Sequence, residues 1–234
     1  MAYYQFNAQF VPQAQQHFVE QLLNCKDFAK SDRLLGSSIG RGTTWFLDTQ
    51  TELGVNSVLR HYYRGGLFGK FIKDHYLFRS FTQTRAAQEF ALLQQLREWE
   101  LPVPRPIAFK ITRKYGCYQA DILIEKIENT RDLSQILQTQ TLSLTQYQQL
   151  GKLIRQLHQR QVHHADLNIH NILLDKQHSF WLIDFDKCKI QAGDEWKQQN
   201  LDRLLRSFNK EKARLGILFN DEHWVALLQG YHSS

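Results

Sequence analysis

The chain has 234 residues, 42% of them hydrophobic and 22% charged, which suits one ordinary domain or two small lobes sharing a cleft. A net charge of +6 favours an anionic partner: a nucleotide, nucleic acid, acidic lipid headgroups or a phosphorylated substrate. No run approaches the roughly 20 apolar residues of a membrane span. The start lacks the cationic-then-apolar order of a secretory signal, and Cys25, Cys117 and Cys188 are too scattered for a disulfide frame or a zinc site.

In chain order, residues 1–12 read as an extended lead-in. Residues 13–24 carry Phe18, Val19, Leu22 and Leu23 at helical spacing, which predicts a short amphipathic helix. Leu34 to Leu47 combines Gly36, Gly40 and Gly42 with β-favouring Thr43-Thr44-Trp45-Phe46, the pattern of a hairpin with a flexible turn. Bare backbone approaches anionic oxygens closely, so these three glycines are candidates for covering a phosphate. Their order departs from G-x-G-x-x-G, and a plain hairpin turn is the alternative. Ser57 to Tyr63 predicts the next strand, ended by Gly65-Gly66. Residues 84–98 place Ala86, Phe90, Leu93 and Leu96 on one helical stripe. Pro102, Pro104 and Pro106 cannot continue that helix, because each lacks a backbone donor. Strands are expected at 107–114 and 117–127, turned at Tyr115-Gly116.

Ser143 is a candidate N-cap for a helix reaching residue 160, with Tyr147, Leu150, Ile154 and Leu157 inward. A polar loop at 163–171, strands at 172–174 and 180–183, and helices near 195–211 and 221–229 complete the chain. Sheet first and helices later predict an α+β protein. Its lobes are expected at 1–128, binding nucleotide, and 129–234, holding the catalytic groups, joined near Glu128-Asn129.

The chemistry concentrates in His164-Ala165-Asp166-Leu167-Asn168-Ile169-His170-Asn171 and in Ile183-Asp184-Phe185-Asp186. Together they supply a carboxylate, an amide five residues later, and a second carboxylate at the end of an apolar run. Phosphoryl transfer from Mg-ATP needs that set. Asp166 is the candidate base, and Asn171 and Asp184 are candidate ligands for Mg²⁺, a hard cation suited to oxygen donors. His164 is expected to hold the loop by hydrogen bonds rather than to move protons. Arg60 stands on the strand where a phosphate-binding lysine is expected. Glu89 shares the apolar stripe of its helix and needs a charged partner, for which Arg60 is the natural choice; a purely structural pair is the alternative. Adenine is read by backbone groups at the end of the strand preceding the lobe connection, so Glu125 and Ile127 are candidates by position. The pattern predicts a two-lobed, protein-kinase-like fold with the nucleotide between the lobes.

Residues around the site narrow the class. The loop lacks the arginine that precedes the base in eukaryotic protein kinases, and Asp186 replaces the glycine of the metal-binding triplet. Only fifty residues follow Asp184, fewer than an activation segment and peptide-binding helices need. With Arg60-His61-Tyr62-Tyr63-Arg64-Gly65-Gly66, Arg85 to Leu93 and Pro102-Val103-Pro104-Arg105-Pro106, residues 30–210 resemble the lipopolysaccharide core kinases of Gram-negative bacteria. Within that group the resemblance is strongest to the kinases of 3-deoxy-D-manno-octulosonic acid (Kdo). It implies ATP and Mg²⁺ as cofactors and transfer of the γ-phosphate to the 4-hydroxyl of Kdo on a lipid A precursor. It also implies peripheral work at the cytoplasmic face of the inner membrane.

Arg64, Lys70, Lys73 and Arg79, set among Phe68, Phe71 and Tyr76, are candidates for the acceptor's anionic groups and for an anionic membrane surface. An ordinary basic surface loop is the alternative. No RNA-binding aromatic motif occurs, so no nucleic-acid partner is expected. A heptose kinase of the same pathway, a protein kinase and a nucleotide-dependent binding module remain as alternatives.

Overall fold

Helix Arg85–Glu98 does not stay within one part of the molecule. In the computed structural model, which describes residues 1–39, 42–64 and 74–233, the chain divides into two compact units. One comprises Met1–Gln94 with Pro104–Ile127, the other Gln95–Val103 with Glu128–Ser234. The sequence boundary at 128/129 thus omits an excursion, residues 95–103, into the second unit. Its anchor there is a backbone bond from Leu182 N to Pro102 O at 2.9 Å. Gly40, Phe68, Lys70, Phe71 and Lys73, singled out above, lie outside the described residues.

The first unit contains, in order, β1 (Ala2–Phe6), α1 (Gln13–Asn24), β2 (Leu34–Ile39), β3 (Thr43–Leu47), the single turn α2 (Gln50–Leu53), β4 (Ser57–His61), β5 (Tyr76–Leu77), most of α3 (Arg85–Glu98), β6 (Pro106–Lys114) and β7 (Cys117–Glu125). The strands form one antiparallel sheet in the order β1-β6-β7-β4-β3-β2, with β5 also paired to β7. The expected lead-in is therefore a strand: Ala2 to Phe6 pair with Thr112 to Ala108.

Neighbouring side chains on a strand point to opposite faces, and here each face has its own core. Leu59 and Leu123 pack with Val19, Leu22 and Leu23 of α1 on one side. Tyr62, Phe109 and Ile122 pack with Ala86 and Phe90 of α3 on the other. Each fully buried leucine or phenylalanine contributes about 2 kcal/mol of transfer free energy. The two helices thus sandwich the sheet and fix which face each strand residue presents.

The second unit contains β8 (Thr130–Asp132), α4 (Leu133–Ile136), α5 (Leu144–Gln159), β9 (Val162–His163), a 3-10 turn (Ile169–Asn171), β10 (Ile172–Asp175), β11 (Phe180–Leu182), β12 (Lys189–Ile190), α6 (Glu195–Leu215) and α7 (Asp221–His232). Ser143 caps α5 as predicted, reciprocally with Gln146. Asn220 caps α7 in the same way with His223. Helices α5 and α7 cross at Gly151 and Gly230. A Cβ at Gly151 would overlap the carbonyl of Leu227, and one at Gly230 the carbonyl of Gln148, so only glycine permits this approach. Tyr147, Phe208 and Phe219 fill the core beside them, the two phenyl rings stacked at 4.3 Å. An antiparallel sheet in one unit and mainly helices in the other make up the expected α+β class. Among the described residues, no helix is long and apolar enough to cross a membrane.

Candidate active site

The loop between β9 and β10 holds His164, Asp166 and Asn171. His164 is fully buried. Its Nδ1 accepts from the backbone N–H of Asp166 at 3.3 Å, so the proton sits on Nε2, which donates to the carbonyl of Ile183 at 3.0 Å. The edge of the ring packs against Phe185 with centroids 4.8 Å apart. Burial pushes the imidazole pKa down, which keeps it neutral and holds this tautomer. His164 thus ties the segment bearing Asp166 to the segment bearing Asp184.

Asn171 lies at the end of the 3-10 turn. Its Nδ2 donates to the carbonyl of Asp166 at 2.9 Å, and its Oδ1 makes no hydrogen bond among the described residues. Asn168 donates to the same carbonyl at 3.0 Å and caps the turn by accepting from His170 N at 2.8 Å. A backbone bond from Ile183 N to Asn171 O at 3.0 Å joins the turn to the approach to Asp184. Asp184 itself has φ of 61°, a left-handed conformation that aspartate tolerates better than most residues. The structure thus gathers Asp166 and Asn171 in one loop and ties that loop to Ile183, the residue before Asp184, through His164 and through the Asn171 carbonyl.

What the sequence reading missed is the surface against which the loop is pinned. Along α6, Asn200 Nδ2 donates to the carbonyl of His164 at 2.8 Å, and Arg203 forms an ion pair with Asp166. Farther along, Ser207 Oγ accepts from Ile169 N at 3.2 Å, and Glu211 meets His170 Nε2 at 3.3 Å. Spacings of three and four residues put these groups on one helix face. The available signal was the set of polar residues, Asn200 and Glu211 above all, inside the buried stripe of Leu204 and Phe208.

Partial burial alone would raise the pKa of Asp166, but Arg203 outweighs it and holds the carboxyl below its usual range. Behind the loop, His158 accepts from Tyr231 Oη at 2.8 Å and donates through Nε2 to Asn200 Oδ1 at 3.0 Å. That leaves the Asn200 amide nitrogen facing His164 O, so α5, α6 and α7 jointly set the loop's backbone.

In the first unit, the predicted pair is formed. Arg60 Nη2 lies 2.5 and 2.6 Å from the two carboxylate oxygens of Glu89, and Tyr62 Oη donates to Glu89 Oε2 at 2.6 Å. The glutamate is 2% exposed. Gly36 lies in β2, where a Cβ would make ordinary contact with Phe46. At Gly42 a Cβ would overlap the ring of Tyr63. Glu125 is doubly tied to Arg105: its N–H donates to Arg105 O at 2.8 Å and its carboxylate accepts from Arg105 N at 3.1 Å. An adenine contact at Glu125 would therefore use its carbonyl. Ile127 is the last residue of this unit. Arg64 donates to His75 O at 2.7 Å and stacks over Tyr76, while Arg79 is exposed.

Residues 27–231 match the Lipopolysaccharide kinase (Kdo/WaaP) family. A protein of Haemophilus influenzae named 3-deoxy-D-manno-octulosonic acid kinase is 55% identical over 87% of this chain and 86% of its own. Proteins of the same name from Mannheimia succiniciproducens and Vibrio vulnificus are 50% and 54% identical, over 94% and 86% of this chain and 91% and 84% of theirs. A solved structure, the Cydia pomonella granulovirus kinase PK-1, aligns with a TM-score of 0.49 at 14% identity, covering 76% of this chain and 58% of that one. The chain belongs to the lipopolysaccharide kinase (Kdo/WaaP) family.

Proposed function

We propose that this chain is an ATP-dependent kinase that transfers the γ-phosphate to the 4-hydroxyl of a Kdo sugar on a lipid A precursor. The observation that carries the reading is the loop in which Asn171 is hooked to the carbonyl of Asp166 while its own oxygen stays open. Relatives at 50 to 55% identity named for Kdo supply the acceptor.

The mechanism follows from the groups present. Asp166, ionised because Arg203 stabilises its carboxylate, takes the proton of the attacking hydroxyl. The acceptor oxygen bonds to the γ-phosphorus as the bond to the bridging oxygen breaks, and ADP leaves with that oxygen. His164, neutral and doubly bonded, holds the loop and transfers no proton. The donor set fits magnesium: Asn171 Oδ1 and the Asp184 carboxylate are two hard oxygens, the number this ion takes from protein when phosphates and water complete its octahedron. Bound there, magnesium would neutralise charge on the β- and γ-phosphates.

In the other unit, Arg60, oriented by Glu89, is assigned to the phosphates, together with the glycines Gly36, Gly40 and Gly42. The carbonyl of Glu125 and the backbone of Ile127 are assigned to adenine. Arg64, Lys70, Lys73 and Arg79 are assigned to the acceptor and to the anionic cytoplasmic face of the inner membrane, where attachment would be peripheral.

Incubating the pure protein with Mg-ATP and a Kdo-bearing lipid A precursor tests the reaction, with mass spectrometry and NMR locating the new phosphate. A heptose-bearing acceptor run in parallel must stay unmodified. Flotation with anionic vesicles at low salt tests attachment; protein that remains below the vesicles overturns that part alone.

A further inference from the structure

Taking a proton from a sugar acid confronts the enzyme with an electrostatic problem. The base is a carboxylate, and an acceptor such as Kdo brings a carboxylate of its own. Two such charges about 5 Å apart repel strongly wherever water is thinned out, unless a cation lies between them. Arg203 is placed to be that cation. Its Nη2 contacts Oδ1 of Asp166, yet its side chain is 47% exposed. A guanidinium has five N–H donors in a planar fork, so one edge can serve Asp166 while another donates to a second carboxylate.

The surroundings of Arg203 extend the argument. Asn168, two residues beyond the base, has its side chain committed to Asp166 O and His170 N and is unavailable to the acceptor. Farther along α6, Arg206 and Lys210 are exposed and make no hydrogen bond or ion pair among the described residues. At about 100° per residue they lie roughly 60° and 20° round the helix from Arg203, on the side away from Ser207 and Glu211. The helix thus has one edge pinned to the loop and, beside it, a cationic edge reaching about 10 Å from the base.

We propose that this edge of α6 is an acceptor-binding site. Arg203 bridges the Asp166 carboxylate and the carboxylate of the sugar acid, while Arg206 and Lys210 bind the acceptor's further anionic groups. The inference rests on the kinase reading above and names how that site selects an acidic sugar. It also gives a physical ground for preferring Kdo to a neutral heptose, because a neutral sugar leaves the bridge unused.

The test is a cycle of two acceptors and several enzymes, run in non-ionic detergent micelles with Mg-ATP. The acceptors are the Kdo-bearing lipid A precursor and the same molecule with its Kdo carboxyl reduced to the alcohol. Wild-type enzyme should lose about ten- to a hundredfold in kcat/KM on the reduced acceptor. Arg203→Gln should be poor on both acceptors and discriminate between them by less than about threefold. Arg203→Lys should recover part of the discrimination. The double variant Arg206→Gln/Lys210→Gln should raise the KM for the intact acceptor about tenfold, with no comparable change in the KM for ATP, and flatten the rise of that KM with salt.

Thermal melting of each variant identifies any that fails to fold. If Arg203→Gln discriminates as strongly as wild type, or the double variant leaves the acceptor KM in place, the inference falls while the kinase reading stands. If wild-type enzyme transfers no phosphate to the intact acceptor, the kinase reading falls first.

Discussion

The side-chain amide of Asn171 donates to the backbone carbonyl of Asp166 at 2.9 Å, so the candidate metal ligand is held by the residue that bears the candidate base. This gives Asn171 two separable duties. Its nitrogen clamps the loop, and its oxygen is the proposed magnesium ligand. Asn171→Ala removes both. The magnesium concentration for half-maximal rate should rise about tenfold or more, and kcat should fall in parallel. Asn171→Asp restores an oxygen ligand but sets a carboxylate against the Asp166 carbonyl, two acceptors facing each other. It should recover magnesium affinity without recovering kcat. A magnesium requirement unchanged in Asn171→Ala would reduce this residue to the clamp.

Asp166→Ala should lower phosphoryl transfer by about 10²- to 10⁴-fold, the usual contribution of a positioned base. Nucleotide binding should survive, because the base role proposed for Asp166 concerns the acceptor hydroxyl and not the nucleotide. Calorimetric titration with Mg-ATP, beside the rate measurement, checks this. Loss of nucleotide affinity in a variant that still melts cooperatively would contradict the division of roles.

The parts of this molecule legible in its sequence are those decided locally. The capping box at Ser143 is a four-residue signal, and the apolar stripe of α5 is periodic, so that helix is found nearly to its ends. The candidate catalytic loop announces itself because its groups lie within a few residues of each other. The Arg60–Glu89 pair was also inferable, since a glutamate on an apolar stripe demands a cation. The strand β1 was not: Tyr3 and Tyr4 pair with Ile111 and Lys110, and nothing nearby specifies so distant a partner. The rail along α6 stayed hidden for the same reason. Asn200, Arg203, Ser207 and Glu211 read as an ordinary amphipathic helix until the fold brings the loop against them. The excursion of residues 95–103 into the second unit was likewise invisible, because its bond from Leu182 N to Pro102 O joins residues far apart in the chain.

Breaking the Arg60–Glu89 pair from one side should cost more than removing it whole. Glu89 is almost fully buried and both its oxygens lie within 2.6 Å of Arg60, so Arg60→Met removes a close cation from a buried carboxylate and should destabilise the first unit by about 3 kcal/mol. Arg60→Met/Glu89→Met removes the buried carboxylate as well and should regain most of that loss. Arg60→Lys should be milder in stability, because one nitrogen already meets both glutamate oxygens. Urea titrations of the four proteins give the comparison. A double variant no more stable than Arg60→Met would mean that the cost lies in packing rather than in unpaired charge.

The two units should respond to pH with opposite signs. In the first, His61 lies between Asp121 at 2.7 Å and Asp74 at 3.2 Å. Burial disfavours its charge, but the two carboxylates outweigh burial and hold its pKa above 6.5. A raised pKa means that its stabilisation is complete below 6.5 and is lost as pH climbs through the folded-state value. In the second, burial pushes His158 down to about 4 from 6.5, against the opposing pull of Asn200. Its stabilisation is complete above pH 6.5 and is lost as pH falls toward 4, by up to about 3 kcal/mol. Hydrogen exchange resolved by segment, corrected for intrinsic rates, separates the two. Protection in α5 and α6 should fall as pH drops from 6.5 to about 4, while β4 and β7 lose protection only on the alkaline side. His158→Gln cannot take up the proton, so its second unit should show a shallower acid slope whatever its starting stability. An acid slope equal to wild type would assign the effect to another group.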